Sequence, residues 1–172
     1  MIVPSYLLLL LGVLGGTDIL LYHSISHGIR QHAESRAELF THFLRGPTYA
    51  ALFLLVPNFA FRGWYFAGLL LLLLFDVGIS IADFWVESGS RRRLGGLPRG
   101  EYVLHILLAM LFGAMVVAVM YEGGAGFRAP SALVWQADGP HVTVRVALAI
   151  MAPLVLWSGL ADLRAMVRLG RR

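Results

Sequence analysis

Five apolar blocks divide the chain, each close to the roughly 20 residues an α-helix needs to cross a hydrocarbon core of about 30 Å. The first runs from Ile2 to Tyr22, and the polar stretch SISHGIRQHAESRAE follows it. The second begins near Glu38 and ends near Phe61, with Gly46-Pro47 inside it. Proline there is expected to kink or restart the helix. The third covers Trp64 to Val86, and the basic, Gly/Pro-rich linker ESGSRRRLGGLPRG separates it from the fourth, Glu101 to Tyr121. A longer loop, EGGAGFRAPSALVWQADGPH, leads to the fifth, Val142 to Leu163. The pattern predicts an all-α integral membrane bundle of about five transmembrane helices, with residues 1–172 as a single domain.

Composition agrees. Charged residues make up 14% of the 172 positions, against roughly 25% in a soluble domain. The first block lacks the basic start and the small-residue cleavage site of a signal peptide, so it reads as a membrane helix. With no cysteine, disulfides and thiolate sites are excluded. All 14 basic residues are arginines. They flank apolar blocks rather than line one exposed polar face, so they read as topology signals and not as a nucleic-acid surface.

With the N-terminus outside, eleven arginines fall on the cytoplasmic side: Arg30, Arg36, Arg45, Arg91, Arg92, Arg93, Arg99, Arg164, Arg168, Arg171 and Arg172. Arg62, Arg128 and Arg145 remain outside. This bias predicts an odd number of spans with a cytoplasmic C-terminus. Trp64, Tyr65, Tyr121 and Trp135 fit anchors at the outer interface, and Tyr22 and Trp85 at the inner one.

Ionisable side chains within membrane spans are expensive. Here they gather at one depth. Asp18, Tyr22, His23 and His27 close span one on the inner side, and Glu38 and His42 open span two. Asp76 and Asp83 lie in the inner half of span three, Glu101 and His105 open span four, and Asp162 closes span five. Glu38 and His42 are four apart, as are Glu101 and His105, so each pair shares a helix face. Asp18 precedes the first pair by 20 residues, and Asp83 precedes the second by 18. The two halves thus echo one another.

This pattern resembles carboxylate-bridged dimetal four-helix bundles, which take carboxylates and Glu/His pairs from neighbouring helices. It departs from them in using a spacing of four rather than three and Asp for the lone carboxylates. The resemblance implies metal ligation by Asp18, His23, Glu38, His42, Asp83, Glu101 and His105. Asp76, Tyr22 and His27 would then orient ligands or relay protons. Iron, manganese or zinc suits oxygen and imidazole donors, as one ion or two. The chain as a whole resembles small multi-pass bacterial membrane proteins of uncharacterised activity, which implies the bacterial inner membrane.

The resulting expectation is a membrane enzyme acting on a lipid-like or quinone-like substrate near the cytoplasmic face. The alternative is a non-catalytic accessory subunit of a larger membrane complex, its polar rim held by ion pairs. On that alternative Asp76 and Asp83 pair with Arg36 or Arg45, and Asp162 pairs with Arg164 or a neighbouring arginine. Ser35 and Glu38 then form a capping box, and Gly12 and Gly16 offer a face for close helix approach. A transporter would need polar groups through the full thickness, and the outer halves of the spans lack them.

Overall fold

The computed structural model describes residues 1–171; Arg172 lies outside them. Five long helices carry the fold: α1 (Ile2–Asp18), α2 (Arg36–Leu55), α3 (Trp64–Arg91), α4 (Arg99–Gly123) and α5 (Val142–Leu169). Four helical stretches are long and apolar enough to cross a membrane: Ile2–Ser26, Trp64–Arg91, Arg99–Arg128 and Val142–Leu169. The fifth helix, α2, has 20 residues but carries Arg36, Glu38, His42 and Arg45. Its polarity is accommodated by position, because α2 packs against α3 and α5 and buries Glu38, Thr41 and His42.

Several boundaries differ from the sequence reading. α3 extends past Val86 to Arg91, and α5 past Leu163 to Leu169. The second block does not stay helical to Phe61. Pro57 follows α2, and proline cannot donate the next helical hydrogen bond. Phe59–Arg62 instead form β1, antiparallel to β2 (Ala132–Trp135), with Phe59 opposite Trp135. This small sheet caps one end of the bundle. Arg145 stacks over the Trp135 ring at 5.2 Å and donates to the carbonyl oxygens of Pro140 and Gln136.

Helix α2 runs through Pro47 without restarting. Proline leaves the Phe43 carbonyl without its helical N–H partner. That carbonyl faces Gly159 of α5, where a Cβ would lie 3.2 Å from it. A Cβ on Gly46 would likewise come within 3.2 Å of the Gly159 Cα. Gly46 meets Gly159 backbone to backbone, while of the expected Gly12–Gly16 face only Gly12 is closely approached, by the Met151 and Phe53 side chains. Nothing lies within 4 Å of a Cβ built on Gly15 or Gly16.

Away from the sheet end, α1 changes its winding. Ile19–Ser26 continue the helix in π form, and the His27 N–H donates to the Tyr22 carbonyl five residues back. Two single 3₁₀ turns, Ile29–Gln31 and Ala33–Ser35, then lead into α2. The main apolar core lies toward the sheet end and includes Leu8, Leu52, Phe66, Leu73, Met115 and Leu148. A small second cluster, Ile29, Leu39, Ala165 and Leu169, lies near the opposite end. Leu71, Leu74, Ile81, Met110, Val117, Leu154 and Trp157 are exposed, as lipid-facing side chains would be.

Candidate metal centre

The π turns set the first part of the site. Bonds from i to i+5 bring residues five apart onto one face, and π segments of this kind often mark functional positions. Asp18 and His23 are five apart, and His23 Nε2 lies 3.3 Å from Asp18 Oδ2. His23 Nε2 is also 3.4 Å from Glu101 Oε1 on α4. His105, one helical turn beyond Glu101, places Nε2 3.2 Å from Asp18 Oδ2. His27 Nε2 lies 3.3 Å from Glu101 Oε2. On the other flank the His23 and His42 rings stack at 4.5 Å with planes 6° apart. His42 Nε2 is 4.0 Å from Glu38 Oε1. His42 and His105 thus face the bundle interior and share His23 as a neighbour.

Among the described residues, two groups could hold a metal ion. One is Asp18, His23, Glu101 and His105; the other is His23, Glu38 and His42. Within each, one ligand atom per residue lies within 4.8 Å of the others. All are buried apart from half-buried His105 and, at the margin, His42. Several of their polar atoms have no hydrogen-bond partner: Asp18 Oδ1, both ring nitrogens of His23, Glu38 Oε1, Glu101 Oε2 and His105 Nδ1. An unsatisfied buried polar atom costs about 1–3 kcal/mol, and native interiors hold few. A cation that accepts these lone pairs would relieve several at once.

Two residues central to the site went unread in the sequence. Arg91 sits in the run Arg91–Arg93 and looked like a topology signal in a loop. It is instead the last residue of α3, 1% exposed, and its guanidinium donates to both glutamates at 2.7 Å, Nη1 to Glu38 Oε2 and Nη2 to Glu101 Oε1. Glu87, one turn earlier, lies 3.8 Å from Arg91 and 3.4 Å from His105 Nδ1. The i,i+4 spacing of Glu87 and Arg91 was the available signal. Three carboxylates (Glu38, Glu87 and Glu101) therefore share one buried guanidinium.

The remaining candidates belong to neither group, although Asp83 touches the second through His42. Asp83 accepts from Thr41 Oγ1 at 2.5 Å and from Arg45 Nη1 at 3.0 Å, with His42 Nε2 3.5 Å away. Its place is an ion pair with Arg45, so the Asp18/Asp83 echo does not become a symmetric ligand set. Asp162 pairs with Arg30 at 2.6 Å, and not with Arg164. Ser35 bonds Ser90 Oγ at 2.7 Å while Glu38 is committed to Arg91, so no capping box forms. Asp76 is buried deeper along α3, with Tyr49 Oη 3.4 Å from its Oδ2. Tyr22 is half-buried, and its hydroxyl rests on Gly100 at the start of α4. At the rim, outside the spans, the Glu34 backbone N–H and Arg93 hold the Glu34 carboxyl below the usual carboxylate range.

A cavity of about 730 Å³ opens off the centre. Asp18, His23, His42 and His105 line one end. The walls are mostly apolar, with Leu11, Phe53, Leu108, Phe112 and Met151, and Gly15 and Gly16 of α1 leave room along one side. Asp76, Tyr49, Arg45 and Ser80 form a second polar station in the wall. Compared with protein-family models, curated proteins and solved structures, the chain matches none.

Proposed function

We propose that this chain is a membrane enzyme whose carboxylate/His centre binds a divalent metal and acts on a lipid-like or quinone-like substrate. The observation that carries the reading is the junction of ligand cluster and cavity. Asp18, His23 and His105 belong to the four-residue group and also line the apolar cavity, while Glu101 backs them from behind. A cavity of this size falls within the range of small-molecule sites, which are mostly apolar with a few convergent polar groups. Its position suits an amphiphile with its polar head at the metal and its apolar part among Leu108, Phe112 and Met151. Iron or manganese there would support oxidation; zinc would activate water for hydrolysis.

The same reading takes α2 as a fifth span, with the N-terminus outside and the centre near the cytoplasmic face of a bacterial inner membrane. Support comes from the length of α2, its packing between α3 and α5, and the arginine bias.

The test is metal analysis of detergent-purified protein. Bound iron, manganese or zinc, lost in His23→Ala and His105→Ala with helix content retained, is the expected outcome. Metal-free protein that also takes up none of these ions when they are added, and whose stability is unchanged in both variants, would defeat the proposal. One observation favours a second reading, an accessory subunit held by polar packing. Arg30, Arg45 and Arg91 each engage carboxylates at 2.6–3.0 Å, as structural ion pairs would.

A further inference from the structure

Resting on the metal-centre reading above, we infer that the centre holds a single divalent ion, at Asp18, His23, Glu101 and His105. Arg91 takes the place beside the glutamates that a second cation would need. The two candidate groups share His23. A neutral imidazole has one acceptor nitrogen, the other carrying the proton. His23 can therefore ligate at one position. Assigned to the four-residue group, it completes two carboxylates and two imidazoles, the donor set of a stable divalent site. The other position then keeps Glu38 and His42, two donors for an ion that takes four or more.

Arg91 accounts for what the second position leaves over. It donates one N–H to Glu38 and another to Glu101, so it ties together one glutamate from each group. The other oxygens accept no hydrogen bond: Glu38 Oε1 lies 4.0 Å from His42 Nε2, and Glu101 Oε2 lies 3.3 Å from His27 Nε2. Arg91 thereby fixes the orientation of the Glu101 carboxylate, whose Oε1 also lies 3.4 Å from His23 Nε2. Its planar fork suits two carboxylates at once, and its charge cannot be removed by deprotonation. With one divalent ion, three positive charges meet the four carboxylates Asp18, Glu38, Glu87 and Glu101. Asp83 and Asp162 need no share, because Arg45 and Arg30 pair them.

The experiment is titration of chelator-stripped, detergent-purified protein with Mn(II), read by calorimetry and by electron paramagnetic resonance. One equivalent with an uncoupled six-line spectrum is expected. That equivalent persists in His42→Ala and is lost in His23→Ala, with circular dichroism confirming the fold of each. Arg91→Met keeps one equivalent but weakens it about 10–100-fold, the range for losing a group that orients a ligand, and Arg91→Lys recovers part of that loss. Two equivalents in the native protein, an exchange-coupled pair, or loss of binding in His42→Ala overturns the single-ion inference and leaves the metal enzyme standing. Unchanged or tighter binding in Arg91→Met overturns the role given to Arg91. No Mn(II) binding by the native protein overturns the inference, and if iron and zinc also fail to bind, the metal-centre reading goes with it.

Discussion

Replacing Arg91 by Met in metal-free protein isolates the charge that the fold holds without help from an ion. The guanidinium is 1% exposed, and its partners Glu38 and Glu101 are 1% and 0% exposed. Removing one member of a buried ion pair costs about 3–5 kcal/mol, mostly because the other charge is left uncompensated. Arg91 leaves two carboxylates behind, so the loss belongs at the upper end, near 5 kcal/mol. Total stabilities of about 5–15 kcal/mol make that a large fraction. Methionine fills much of the volume of the side chain, so cavity formation adds little. The assay is SDS-titration unfolding in micelles with a chelator present, followed by circular dichroism. In a Glu38→Gln/Glu101→Gln background the same Arg91→Met change is expected to cost less than about 2 kcal/mol, because both hydrogen-bonded carboxylates are gone and Glu87, 3.8 Å from the guanidinium, keeps His105 at 3.4 Å. The difference between backgrounds is the coupling energy. A loss below about 1 kcal/mol in the native background, or an equal loss in both, would refute the argument that Arg91 is the counter-ion of this cluster.

Further expectations concern the cavity and the packing that frames it. Gly15→Leu places its side chain in open space, so it should leave stability and Mn(II) binding intact while weakening a short-chain ubiquinone analogue more than tenfold by fluorescence titration; unchanged binding would exclude the cavity as the substrate site. Gly46→Leu forces α2 from α5 at a point where even a Cβ would lie 3.3 Å from the Val155 carbonyl, and should cost at least the roughly 1–3 kcal/mol of an overpacked interface in the same unfolding assay. Ser35→Ala and Ser90→Ala should each cost about 1 kcal/mol, and the double variant little more, because both remove one hydrogen bond. Additive losses would mean that Ser35 works as a helix cap after all.

Four long apolar helices and the gathering of ionisable residues toward one end of the bundle were legible in the sequence, because both follow from what a bilayer tolerates. Less legible was which of those residues meet. Their four-residue spacing would place His23 and His27 on one face of an α-helix, whereas the π winding of Ile19–Ser26 sets Asp18 against His23. Nothing in the composition of ILLYHSIS separates π from α winding, since the hydrogen-bond shift is decided by what the segment packs against. Arg91 was obscured by its neighbours: Arg92 and Arg93 are exposed, and only the extra turn of α3 carries Arg91 inward. Asp83 shows the opposite effect. Its position in the pattern matched that of Asp18, yet Thr41 and Arg45 on α2 satisfy it first.

Asp76 bears on whether this polar layer is a conduit or a dead end. It lies seven residues before Asp83 on α3, about 10 Å farther from the arginine-rich end. With Tyr49, it is the deepest ionisable station in the cavity wall. Beyond it α3 presents Leu73, Leu69 and Phe66 to the interior, and α1, α2, α4 and α5 add Leu8, Leu52, Val119 and Leu148, all buried. A permeating ion or proton would meet a packed apolar layer there, with no buried ionisable side chain among the described residues to replace its hydration. On the proposed function, polar groups that begin at one end of the bundle and stop halfway would receive a polar head group there and hold the attached apolar body beneath it. That asymmetry is why the proposed function is catalysis on an amphiphile rather than transport across the bilayer.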